Sequence, residues 1–96
     1  MTDNATPLTI VHDEGNQAFT TVVDGQTCVV DYRLQGNIMT ITHTGVPQSV
    51  GGRGIAATLT RFAVQVAEAK QWKVSPACSY ADAWFRRNPK YAHLLA

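Results

Sequence analysis

Charge, sulfur and long apolar runs are all scarce in this chain. Of 96 residues only 8 are Lys or Arg and 7 are Asp or Glu, a net charge of +1. Without a basic stripe there is no footprint for a phosphate backbone, so no nucleic-acid partner is expected. Cys28 and Cys78 are the two cysteines, and no CxxC or His/Cys ligand spacing surrounds them. That excludes a disulfide scaffold and a structural metal by pattern, and points to a reduced, cytoplasmic setting. No window approaches the ~18 consecutive apolar residues that span a bilayer, so no membrane association is expected. Met1 to Pro7 carries neither a basic n-region nor an apolar run and reads as a flexible start.

Apolar residues still make up 45% of the chain, too many for a disordered polypeptide and enough for one core. The length fits a single domain over 1–96. From Leu8 to Val46 short β-type runs alternate with turn residues: Leu8 to His12, Ala18 to Val23, Thr27 to Leu34 and Ile38 to Thr44. The breaks are Glu14-Gly15-Asn16, Asp24-Gly25 and Gly36-Asn37, which predicts a four-stranded antiparallel meander. In the third run Cys28, Val30, Tyr32 and Leu34 share one face and Thr27, Asp31 and Arg33 the other. Cys28 is therefore expected in the core.

After Val46-Pro47 a polar, Gly-rich stretch leads into Ile55, Leu59, Phe62, Ala63 and Val66 at helical spacing, with Thr58, Arg61, Gln65 and Glu68 opposite. This predicts an amphipathic helix on the sheet. Trp72 to Ala77 suits a fifth strand. Ser79 followed by Asp82 three residues later predicts a capping box opening a second helix, which Pro89 stops.

Gly51-Gly52-Arg53-Gly54 lies between a strand and a helix. Glycine permits positive φ and close backbone approach, and the first N–H groups of a helix lack internal acceptors at the positive end of its dipole. A phosphate or pyrophosphate is the natural ligand; the plainer alternative is a tight turn with no ligand. No Gly-Lys-Ser/Thr follows, and the preceding strands read as antiparallel, which excludes a Walker loop and a Rossmann fingerprint.

His43-Thr44 before Val46-Pro47, the Gly52-Arg53-Gly54-Ile55-Ala56 helix start, Val74-x-Pro76-x-Cys78, and Arg86-Arg87-Asn88-Pro89-Lys90-Tyr91 together resemble the small stand-alone members of the GNAT superfamily of N-acetyltransferases. The resemblance covers about Ile38 to Leu95. It implies an α/β (α+β) fold in which the fifth strand splays from the fourth, and acetyl-CoA or coenzyme A as the cofactor. His43, Thr44, Gly45 and Val46 would line the pantetheine and thioester. Val50, Gly51, Gly52, Arg53, Gly54, Ile55 and Ala56 would cradle the pyrophosphate. Ser79 and Tyr80 would border the cofactor from the second helix, with Arg86 and Arg87 reaching its phosphates unless they only complement the helix dipole. Two positions depart from the family pattern: Ser49, where Gln or Arg is preferred, and Gly45, where small members often carry an acidic residue.

Transfer to an amine needs a neutral nucleophile, donors for the oxyanion and an acid for the leaving thiolate. The candidates are His43 and Cys78, with Tyr80 as a proton donor. His43 is expected on the side of Met39 and Ile41 at the end of the fourth strand, as a base or a structural residue. Cys78, at a helix entrance that favours thiolate, reads as a nucleophile, a cofactor neighbour or a packing residue. His12 and His93 are expected at the surface. An acetyltransferase acting on a small amine or a protein lysine is the first reading, and a CoA-binding module working with a partner protein the second. A generic anion-binding adaptor is the third. The connection from Leu8 to Phe19 is too short for the acceptor-shaping helices of larger family members, so the acceptor site is expected to be open or completed by a partner.

Overall fold

A computed structural model of the chain describes residues 8–96; the expected flexible start at Met1 to Pro7 lies outside them. Five strands form one sheet in chain order: β1 (Val11–Asp13), β2 (Ala18–Val23), β3 (Gln26–Gln35), β4 (Ile38–Gly45) and β5 (Lys73–Pro76). The first four pair antiparallel, and β5 joins β4 in parallel. A parallel neighbour needs a crossover, and α1 (Ile55–Ala69) supplies it. Helix α2 (Ser79–Arg87) follows β5 and ends before Pro89, as expected.

The hairpin turns are the ones their residues dictate. Asp24 and Gly25 sit at φ 51° and 76°, the left-handed pair of a type I′ turn that brings β3 back along β2. β1 is shorter and later than the expected Leu8 to His12. Asp13 pairs with Ala18, and upstream the Thr9 carbonyl is taken by the Thr21 hydroxyl at 2.7 Å instead of by a ladder partner.

One core lies between the sheet and the helices. Phe19, Cys28, Val30, Tyr32, Met39 and Ile41 project into it from the strands, and Leu59, Ala63 and Val64 meet them from α1, with Trp84 and Phe85 from α2. Cys28 is fully buried, and burial pushes its thiol up from the ordinary value. On α1 the predicted polar stripe of Thr58, Arg61, Gln65 and Glu68 is exposed.

Two irregularities shape β4. Tyr32 pairs with Ile41 but Asp31 pairs with His43, so Thr42 is an extra residue, a β-bulge. Beyond it the side-chain alternation is inverted: Thr44 stands opposite core-facing Val30, and His43 turns to the other face of the sheet with Asp31. His43 is therefore not on the side of Met39 and Ile41. In addition, β5 pairs with β4 only from Ile38 to Ile41; the N–H groups of Ala77 and Cys78 then both donate to the Ile41 carbonyl, at 3.0 and 3.1 Å, and the strands part. Thr42 to Gly45 keep β3 on one side and lose β5 on the other.

Candidate functional site

The loop from Pro47 to Gly54 begins as a 3₁₀ turn, Gln48–Val50, closed by Val50 N–H to the Pro47 carbonyl and Gly51 N–H to the Gln48 carbonyl. Gly52 and Gly54 then take φ 79° and 78°, and Gly54 is the N-cap of α1. A Cβ at either glycine would meet nothing within 4 Å, so the backbone there borders open space. The N–H groups of Ile55, Ala56 and Ala57 have no acceptor among the described residues, and the first turn of α1 has no acidic side chain. The Gly54 carbonyl is held from inside the helix, by the Thr58 N–H at 3.1 Å and the Thr58 hydroxyl at 3.0 Å. A fixed ring of free donors over open space is suited to a phosphate group. Val50 and Ile55 are buried, so they anchor the loop's two ends and offer a ligand only backbone.

Where β4 and β5 part, Thr44 and Cys78 meet: the Thr44 hydroxyl is 3.5 Å from the Cys78 sulfur. The same sulfur accepts the Ala81 N–H at 3.4 Å, which makes Cys78 the N-cap of α2. This corrects the expected Ser79–Asp82 capping box. Ser79 is already the first helical residue, and the Asp82 carboxylate is drawn away to Arg86 at 2.8 Å. Tyr80, two residues further, is half-buried; burial pushes its phenol up, and the Arg87 charge opposes this only in part. The phenol therefore keeps its proton at neutral pH.

The inverted alternation after Thr42 separates His43 from this cluster. His43 is exposed on the outer face, its ring lying over Gly45, where an added Cβ would come within 2.9 Å of Nε2. An acidic side chain at position 45 would need that ring to move. Arg86 and Arg87 are exposed at the far end of α2, about 12 Å along the helix from Ser79 by the ordinary rise. The structure thus brings Thr44 and Cys78 together at the splay and places the glycines at the start of α1, with Tyr80 in the first turn of α2. His43 stands on the opposite sheet face.

The family profile of GCN5-related N-acetyl-transferases matches residues 18–94, a span that holds every residue just described. The chain belongs to this family. It is similar to Protein NATD1 of Gallus gallus and of Homo sapiens, at 30% identity over 86 residues in each case. The matches cover 86% of this chain and 78% and 76% of those proteins. The solution structure of a GCN5-like protein from Staphylococcus aureus matches at a TM-score of 0.75 and 26% identity, covering 95% of this chain and 90% of that one. Acetyl-CoA is the cofactor of GCN5-related N-acetyltransferases generally. The residues present fit it: positive-φ glycines bordering open space, free helix N–H groups and a β4 edge without a strand partner beyond Ile41.

Three features went unread in the sequence. Asp24, in the β2–β3 turn, reaches Arg53 of the glycine loop at 2.9 Å. His12 is not a surface residue: its ring stacks on Phe19 at 4.2 Å and its Nε2 lies 2.7 Å from the Tyr32 hydroxyl. Thr44 was expected only as a cofactor-lining residue, and its contact with Cys78 has no sequence signature. His93 is at the surface, 3.4 Å from Glu68.

Proposed function

We propose that the protein is an acetyl-CoA-dependent N-acetyltransferase whose acceptor is an amine presented on an open surface, such as a lysine of a peptide or protein. The observation that carries this reading is the juxtaposition of two half-sites along β4: the glycine-bordered start of α1, and the Thr44–Cys78 contact where β5 leaves the sheet. Gly51 to Ala56 would hold the pyrophosphate through backbone N–H groups, and the unpaired β4 segment around Thr44 to Val46 would take the pantetheine arm. Acetyl-CoA supplies an activated acetyl thioester when bound. Tyr80, protonated at neutral pH, would hold the proton for a departing thiolate. His43, exposed on the outer face, stands apart from this cluster and takes no part in the transfer in this reading. Only a four-residue turn, Glu14 to Gln17, separates β1 from β2, so no inserted helix covers that face, which favours a large acceptor over an enclosed small one.

Cys78 fits either of two roles, a positioned neighbour of the cofactor or the thiol that carries the acetyl group between donor and amine. The experiment is CoA release with a lysine peptide, followed by the intact mass of the protein after incubation with acetyl-CoA alone. Peptide-dependent release supports the transferase reading. A gain of one acetyl group that is lost in Cys78→Ser assigns the carrier role. Binding without release in the presence of amines would favour the alternative, a CoA-binding module that works with a partner.

A further inference from the structure

Arg53 is the one cationic side chain between Pro47 and Ile55, and it is already occupied. Its guanidinium lies 2.9 Å from the Asp24 carboxylate, which belongs to the β2–β3 turn and not to the loop itself. The turn does not require that carboxylate. Position 24 has φ 51° and is followed by Gly25 at 76°, a geometry that Asn-Gly satisfies at least as well as Asp-Gly. The acid at this position adds a negative charge beside a loop otherwise built to receive anions.

We infer that Asp24 sets how tightly the glycine loop holds a pyrophosphate, by occupying Arg53 until the incoming anion displaces it. This rests on the cofactor reading above. Both side chains are substantially exposed, 49% for Arg53 and 64% for Asp24. Pairs of this kind are worth up to about 1 kcal/mol, weak enough to exchange for a ligand with more charge. A pyrophosphate backed by several backbone N–H groups competes well for the guanidinium, whereas a small monoanion with one contact competes poorly. Asp24 thereby biases the loop toward polyanions.

The rival role for the pair is a tether that pre-shapes the loop, and it predicts the opposite sign. The loop has its own restraints: the two bonds of the 3₁₀ turn and the double hold of Thr58 on the Gly54 carbonyl. Both ends of the loop are thus held without Arg53.

The test is calorimetric titration with CoA of the wild-type protein, Asp24→Asn, Arg53→Gln and the double variant, at low and at physiological ionic strength. Asp24→Asn keeps the turn, so it should remain folded and melt at most a few degrees below the wild type, the loss of one exposed pair. At low salt it should bind CoA about two- to fivefold more tightly, the range set by the strength of an exposed pair. The gain should shrink at physiological salt and largely vanish in the Arg53→Gln background. Unchanged or weaker binding by Asp24→Asn overturns the inference, as does a gain that survives undiminished without Arg53. A wild-type protein that binds no CoA overturns the cofactor reading itself.

Discussion

The Thr44 hydroxyl and the Cys78 sulfur lie 3.5 Å apart across the gap where β4 and β5 separate. They meet because the bulge at Thr42 turns Thr44 toward the core side and because, two residues past the end of β5, the Cys78 N–H is bonded to the Ile41 carbonyl. The sulfur thus has two polar partners within reach, the Thr44 hydroxyl and the Ala81 N–H, which fix its position at the gap.

Removing the hydroxyl should loosen the hold on the sulfur and slow the transfer. Thr44→Val preserves shape and β-propensity, and we expect CoA release from acetyl-CoA with a lysine peptide to slow by about three- to tenfold, the worth of one hydrogen bond. An unchanged rate would show that the hydroxyl serves another partner. Cys78→Ser is the companion variant, because serine keeps the cap that Cys78→Ala would delete at about 1 kcal/mol.

Gly52 is the position at which to block the phosphate loop. Its Cβ would point into open space at φ 79°, so Gly52→Ala places a methyl where the anion is proposed to sit. The left-handed conformation costs about 1–2 kcal/mol in an L-residue, so the variant should melt a few degrees lower and remain folded. CoA affinity should drop at least tenfold. Equal affinity in the two proteins would mean that the phosphates lie elsewhere.

His12 makes stability depend on pH in a stated direction. Its pKa is lowered from the ordinary 6.5, mainly by burial, with Lys70 adding to the effect and Glu14 and Asp13 opposing it. In the folded state the imidazole prefers to stay neutral, stacked on Phe19 and bonded to Tyr32. Between the depressed folded value and 6.5 the unfolded chain binds more protons. Stability is therefore full above about pH 6.5 and falls as the pH drops below it. Urea midpoints at pH 5.5 and 7.5 should show this slope in the wild type and a shallower one in His12→Phe.

Thr60 offers a substitution that should stabilise. Its hydroxyl is fully buried in α1 without a hydrogen-bond partner among the described residues. Thr60→Val removes the unsatisfied oxygen at nearly constant volume, and a gain of roughly 1 kcal/mol is expected in chemical denaturation. A loss would reveal a partner for the hydroxyl.

The alternation of Cys28, Val30 and Tyr32, the turn pairs at Asp24-Gly25 and Gly36-Asn37, and the amphipathic run from Ile55 are local signals, so the meander and α1 were legible in the sequence. So was the glycine loop as the strand-to-helix connection that opens α1, since conformational freedom at Gly52 and Gly54 is a property of the residues themselves. The bulge at Thr42 was not, because nothing in Ile41-Thr42-His43 marks an extra residue. It exists only in the register against β3, and it moves His43 to the opposite face. The cap of α2 was misplaced by one residue, because Ser79 has the better intrinsic capping chemistry. Cys78 wins since its N–H is fixed to Ile41 and Asp82 is claimed by Arg86. The Asp24–Arg53 and His12–Tyr32 contacts join residues far apart in the chain, and only the folded sheet brings them together.

The central claim is that the start of α1 and the β4 edge hold acetyl-CoA. Calorimetric titration of the purified protein with acetyl-CoA, against inorganic phosphate and pantetheine as separate halves of the ligand, tests it most directly. The account predicts saturable one-to-one binding of acetyl-CoA much tighter than either half. Binding no tighter than that of phosphate would contradict it and leave Gly51 to Gly54 as a turn alone.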